Sequence, residues 1–266
     1  MDTPSDADSG EPSDLRDVVV RDDSGDLADF FDLLRDRRRA GGRVRLIDSG
    51  RLGIPDLERL AVAGIEIFSS DAVRTDPHGL VLIGLAARKG NSAAAIFVHG
   101  PFREAGDPAG LSFDSVLELA RTGVRIAVSN GRVPRDPAAL DRLADACRKG
   151  GTRLIFYHAG PADSALAGLC RAGVWLHLDG GGLDPNGVST AGDLARAACA
   201  SGGGLILHVS EAIDPDAFED LDGSGAFVLF HTPPSDYRDP RRELEDSSRR
   251  RPAPPEASYL FSGFML

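Results

Sequence analysis

Short runs of Val, Ile, Leu and Phe recur along this chain and alternate with longer segments whose apolar positions fall at helical spacing. The runs predict eight strands: Val44–Ile47, Ile65–Ser69, Ala94–Val98, Arg125–Val128, Leu154–Tyr157, Val174–Leu178, Leu205–Val209 and Phe227–Phe230. Between them the spacing predicts helices over Pro55–Ala63, Gly79–Arg88, Phe113–Arg121, Pro137–Lys149, Ala162–Arg171, Ala191–Ala200 and Pro215–Leu221. A further amphipathic helix, Leu27–Arg39, ends in basic residues and stops at Gly41-Gly42. Ala63-Gly64-Ile65, Thr122-Gly123-Val124 and Ala172-Gly173-Val174 repeat one joint, a helix stop feeding the next strand. Glycine suits that place because the residue closing a helix often needs positive φ.

Strands that alternate with helices imply parallel pairing through right-handed crossovers. The runs are apolar throughout, as expected where helices cover a sheet. Eight units in about 190 residues match a (β/α)8 barrel of α/β class, with an open doubly wound sheet as the rival. No GxGxxG follows the first strand and no GxxxxGK[ST] occurs, so neither nucleotide fingerprint supports the open sheet. Residues 1–26 are rich in Asp, Ser, Pro and Gly and are expected to be a disordered acidic tail, despite Val18-Val19-Val20. The barrel is expected over residues 27–246, with Arg241 to Asp246 as a short helix. A Ser/Arg/Pro linker and an apolar segment, Tyr259 to Leu266, then make up residues 247–266. That last segment is expected to pack on the barrel or to support a homo-oligomer.

Composition narrows the function. A net charge of -11 argues against a protein that grips nucleic acid through its phosphates. No apolar run approaches the roughly 20 residues that cross a bilayer, and the start has no signal-peptide pattern, so a cytoplasmic protein is expected. Lys89 and Lys149, each at the end of a predicted helix, are the only lysines available for Schiff-base chemistry. Cys147, Cys170 and Cys199 lack metal-ligand spacing and are expected as buried small hydrophobes.

In a parallel barrel the functional face lies at the carboxyl ends of the strands. Those ends carry Asp48 and Ser49, Ser70 and Asp71, His99, Ser129 and Asn130, His158, His177 with Asp179, His208, and His231. Five of the 6 histidines sit there, all but His78. Trp175, His177 and Asp179 share one face of their strand, and Gly180-Gly181-Gly182 follows. Imidazoles and carboxylates on adjacent strands are a ligand set for zinc, manganese or iron, with water activated for hydrolysis.

In this layout the chain resembles the metal-dependent hydrolase barrels, the amidohydrolase and PHP phosphoesterase superfamilies. The resemblance covers roughly residues 43–232 and rests on His158, His177, Asp179, His208 and His231. It is architectural, since both families open with His-x-His on the first strand, where this chain has Leu46-Ile47-Asp48-Ser49-Gly50. What it implies is hydrolysis of a small ester, amide or phosphoester by a divalent metal, zinc or manganese, held by some of His158, His177, His208 and His231. Asp48, His99 and Asp179 are the acid–base candidates. Ser129, Asn130, Gly180 and Gly181 are the candidates for holding substrate. Two further readings stand beside it: a metal-free lyase or isomerase with an anion-binding loop, and a barrel kept only as a binding or scaffold module.

Overall fold

The structure, a computed structural model, describes residues 17–103, 110–131, 133–179, 183–209 and 214–230. The expectations for Gly180, Gly181, Gly182, His231 and everything beyond Phe230 therefore lie outside the described residues.

Among the described residues, nine strands form one parallel sheet in strict chain order. They are β1 (Val18–Arg21), β2 (Val44–Ile47), β3 (Glu66–Ser70), β4 (Ala94–Val98), β5 (Arg125–Ser129), β6 (Ile155–His158), β7 (Trp175–Asp179), β8 (Gly204–Val209) and β9 (Phe227–Phe230). Eight helices connect them: α1 (Leu27–Arg39), α2 (Ile54–Ala63), α3 (Pro77–Lys89), α4 (Phe113–Arg121), α5 (Pro137–Lys149), α6 (Ala167–Arg171), α7 (Pro185–Ala200) and α8 (Pro215–Ser224).

Crossovers of one hand between sequential parallel strands put every helix on the same face of the sheet. Two apolar clusters follow. The larger lies between sheet and helices, with Leu46, Ile67, Ile96, Ile126 and Leu176 facing Leu57, Ile83, Leu119, Leu143 and Leu194. The smaller lines the other face and joins Phe68, Phe97, Tyr157, Trp175 and Ile206. Phe68 on β3 and Trp175 on β7 share that cluster, so the sheet curls round on itself. This is an α/β (β/α)8 barrel.

Register fixes which side chains point inward. Tyr157 lies opposite His177, His177 opposite Ile206, and Asp179 opposite His208. Trp175 faces Gly204 across the ladder. A Cβ on Gly204 would sit 2.2 Å from the indole, so only glycine leaves room for Trp175. The three repeated joints behave as expected: Gly64, Gly123 and Gly173 have φ of 105°, 94° and 79°.

For the described residues from 17 onward the reading of a disordered tail is corrected, since Val18–Arg21 is a strand paired with β2; residues 1–16 lie outside the described residues. Its polar neighbours make the pairing tenable. Asp17 accepts the Arg43 amide at 2.7 Å and pairs with Arg45 at 3.2 Å. Asp22 is fully buried beneath the loop after β2. α6 is shorter than expected, a single 3-10 turn over Ser164–Leu166 leading into Ala167–Arg171. α7 begins earlier than Ala191, at Pro185, because Asp184 caps the Gly187 amide at 2.7 Å.

Candidate functional site

The helices start at the carboxyl ends of the strands, capped there by Asp26, Asp76, Ser112, Asp136, Asp184 and Asp214. The loops that carry the candidate residues are therefore pinned at both ends. The carboxyl face they frame divides into two parts.

The first part lies over β2 to β5. Asp48 caps β2, and its side chain has 0% exposure. It accepts Ser69 Oγ at 2.7 Å, Arg74 Nε at 2.9 Å, Arg74 Nη2 at 2.8 Å and the Gly50 amide at 2.9 Å. Four donors, two of them a charged fork, saturate the carboxylate. Asp48 thus ties β2 to the loop after β3, and it also stands in the wall of the cavity that lies beside it. Asp22 is held similarly: burial pushes its carboxyl up, but hydrogen bonds from Ser49 and Leu52 keep it below its ordinary value. Asp71 accepts the amides of His99 and Gly100 at 2.9 and 2.8 Å and so orients the loop after β4.

Above these struts lies a cavity of about 550 Å³ whose wall includes Arg21, Ser49, Ser70, His99 and Ser129. The His99 ring stacks on Phe97 at 5.6 Å and 14°. Arg135 closes the edge, donating to the Ser129 and Val98 carbonyls at 2.9 Å each and lying over the Phe102 ring at 4.8 Å. Burial lowers its pKa from the ordinary arginine value. Arg135 escaped the sequence reading because it lies in a loop, several residues past the strand end, whereas Arg74 was expected to pair with Asp71 and pairs with Asp48.

The second part lies over β6 to β8. His177 Nδ1 and His208 Nε2 are 2.8 Å apart and share a hydrogen bond, their rings stacked at 5.1 Å and 21°. Tyr157 packs against His177 with ring centroids 4.1 Å apart. His177 is 3% exposed. Its pKa falls well below the histidine norm, because burial disfavours the cation and His208 adds repulsion. Burial also raises the Tyr157 phenol well above its ordinary value, so it stays protonated. His208 is half-buried at the rim. Ser129 and Tyr157 are register partners, so the inner row Ser129, Tyr157, His177 runs from the cavity wall to the histidine pair.

His158 does not join that pair. It follows Tyr157 in β6 and so points to the other face of the strand. Its Nδ1 lies 2.9 Å from Asn130 Nδ2, and Asn130 Oδ1 accepts the Ala159 amide at 2.7 Å. With an amide N–H donating to Nδ1, the ring is neutral; burial lowers its pKa, against a backbone bond to Pro161 and the nearby Asp163. Asn130 and His158 together bracket the loops after β5 and β6, apart from the His177–His208 pair.

Two imidazole nitrogens bound to one tetrahedral zinc at about 2.0–2.1 Å stand about 3.3 Å apart. The 2.8 Å contact between His177 and His208 is a direct hydrogen bond, shorter than that spacing. Among the described residues, no group of three or more His, Cys, Asp or Glu side chains is placed to hold a metal ion. Asp179 stands opposite His208 in register.

Both lysines lie on the far face, closing α3 and α5, and Lys149 pairs with Asp145 at 2.6 Å. Neither lysine therefore stands at the carboxyl face. Cys147 and Cys170 are buried as expected, their thiols pushed up to about 12 and about 11 by burial, whereas Cys199 is exposed, which corrects its assignment to the core. No helix among the described residues is long and apolar enough to cross a membrane.

Comparison with known proteins finds no matching protein-family model and no matching curated protein. Among solved structures, the chain is similar to deoxyribose phosphate aldolase from Aeropyrum pernix, with 16% identity and a TM-score of 0.36 over 84% of this chain and 88% of that one. It is also similar to HMG-CoA lyase from Brucella melitensis, with 14% identity and a TM-score of 0.35 over 77% and 73%. A third similarity is to β-mannanase from Streptomyces thermolilacinus, with 13% identity and a TM-score of 0.32 over 67% and 75%. Likeness this distant carries no argument about activity; the barrel rests on strand order and packing.

Proposed function

We propose that this barrel moves a proton on a small molecule without a metal, as a lyase or isomerase, with His177 and His208 as its acid–base pair. The observation that carries the reading is the 2.8 Å hydrogen bond between a wholly buried imidazole and a half-buried one at the carboxyl face. His208 is the group that meets substrate. Its Nε2 is engaged with His177, so Nδ1 is the atom that takes or gives the proton. Once protonated, His208 donates Nε2–H to the Nδ1 lone pair of His177, whose burial keeps it neutral and receptive. His177 is therefore a positioning residue, in the role a buried acceptor plays beside a catalytic histidine. The cavity of about 550 Å³ walled by Ser129 and His99 opens on the same carboxyl face, next to the inner row that leads to the pair, and offers room for the part of the substrate that extends away from His208.

The metal-dependent hydrolase reading is less well supported, because His158 bonds to Asn130 while His177 and His208 bond to each other, and no group of three ligand side chains is placed to hold a metal among the described residues.

The test is deuterium wash-in. A panel of small aldehydes, ketones and 2-oxo acids is incubated with the protein in D2O containing chelator and followed by proton NMR. Catalysed exchange of a carbon-bound proton, abolished in His208→Gln and slowed in His177→Gln, is the expected result. No exchange across the panel, together with phosphoester cleavage that requires added zinc or manganese, would replace this reading with the hydrolase. Neither activity would leave the barrel as a binding module.

A further inference from the structure

The amino-terminal end of the barrel holds a second cavity, of about 590 Å³, whose wall includes Arg38, Arg43, Glu66, Asn91, Ser92 and Arg125. Charged residues often close a barrel floor as neutral ion pairs, and here Arg45 does so. It pairs with Glu66 at 3.1 Å and with Asp17 at 3.2 Å, almost wholly buried. Arg43 reaches the same Glu66 only at 3.4 Å and is 58% exposed. Arg125 takes no part in this network. It begins β5 on the inner face, opposite Ala95, and its half-buried side chain makes no ion pair or hydrogen bond among the described residues.

A helix dipole explains one of these cations and not the other two. Arg38 sits in the last turn of α1, where a cation compensates the helix end. Arg43 and Arg125 lead into strands, and strands have no comparable dipole. The wall thus sets three guanidiniums against one carboxylate, Glu66, which is shared between Arg43 and the buried Arg45, in a protein whose net charge is -11. Ala93 lines the cavity beside them and Ala95 sits next to Arg125 on the inner face, and these small side chains keep the space open. Asn91 and Ser92 add polar groups to the wall.

We propose that this cavity binds a small ligand carrying more than one phosphate charge, held by Arg43 and Arg125 with Arg38 at the rim. Guanidinium forks match phosphate oxygens in pairs. A cavity of this volume admits a ligand larger than a single phosphate. The site is separate from the histidine pair, at the opposite end of the barrel, and stands whether or not the reading of that pair holds.

Titration calorimetry with pyrophosphate, at ionic strength fixed by chloride, tests the proposal on the full chain. One saturable site is expected. Arg125→Gln and, separately, Arg43→Gln should each weaken it about tenfold or more, as loss of a charge-assisted bond does. His177→Gln at the other end should leave it unchanged. Circular dichroism establishes that each variant is folded, and two independent arginine variants guard against one failing to fold. Absence of saturable heat in the parent, or affinity unchanged in both folded arginine variants, or loss of binding in His177→Gln, would overturn the proposal.

Discussion

Replacing Arg74 by Met removes both prongs of the fork that holds Asp48. The carboxylate is left with Ser69 Oγ and the Gly50 amide, at 2.7 and 2.9 Å, and no countercharge in contact, while its side chain has 0% exposure. Breaking one side of a buried pair costs about 3–5 kcal/mol, because the remaining charge stays desolvated. Against a total stability of about 5–15 kcal/mol, that is a large share. In a domain of this size it lowers the melting temperature by about 10 °C. Asp48→Asn should cost less, since a neutral amide leaves no buried anion, and the double variant should fall well short of the sum of the two. Urea unfolding of the parent, both single variants and the double variant at neutral pH reads all these quantities. A loss within about 1 kcal/mol for Arg74→Met, or strict additivity in the cycle, would refute the structural role given to Asp48.

Three further outcomes follow from the packing. His158 and His177 both have pKa values lowered by burial, so the unfolded chain binds protons more readily than the folded one. Their contribution to stability is present above the ordinary histidine value of about 6.5 and is lost as pH falls below it. Urea midpoints should therefore drop between about pH 7.5 and pH 5.5, and a flat profile would contradict the neutral assignment. Gly204→Ala should destabilise by about 1–3 kcal/mol through collision with the indole, and Trp175→Leu in the same chain should recover part of it. Thiol labelling of the native protein should modify Cys199 quickly, with Cys147 and Cys170 reacting only on unfolding.

The fold was legible because its signals are local and repeated. Strands such as Ala94–Val98 and helices such as Pro137–Lys149 declare themselves by period, and Gly64, Gly123 and Gly173 mark the joints. β1 was hidden because three valines are outweighed by the Asp, Ser and Gly around them. Only the neighbouring strand shows that Asp17 and Asp22 have partners there. The site was legible to the level of strand ends. Parity within β7 placed His177 on the inner face, and parity within β6 put His158 on the other, a distinction that grouping all strand-end histidines together loses. That Asp48 is saturated could not be read, because Arg74 lies 26 residues away and meets it only through the sheet.

The central claim, that His177 and His208 form a metal-free imidazole pair, is tested most directly by NMR of the protein carrying nitrogen-15 histidine, titrated from about pH 8 to pH 5. The account predicts that His177 stays neutral to well below the ordinary histidine value, that both rings shift in concert as His208 titrates, and that stoichiometric zinc leaves them unmoved. A His177 that titrates near about 6.5, independently of His208, or both rings shifting together on one equivalent of zinc, would contradict it.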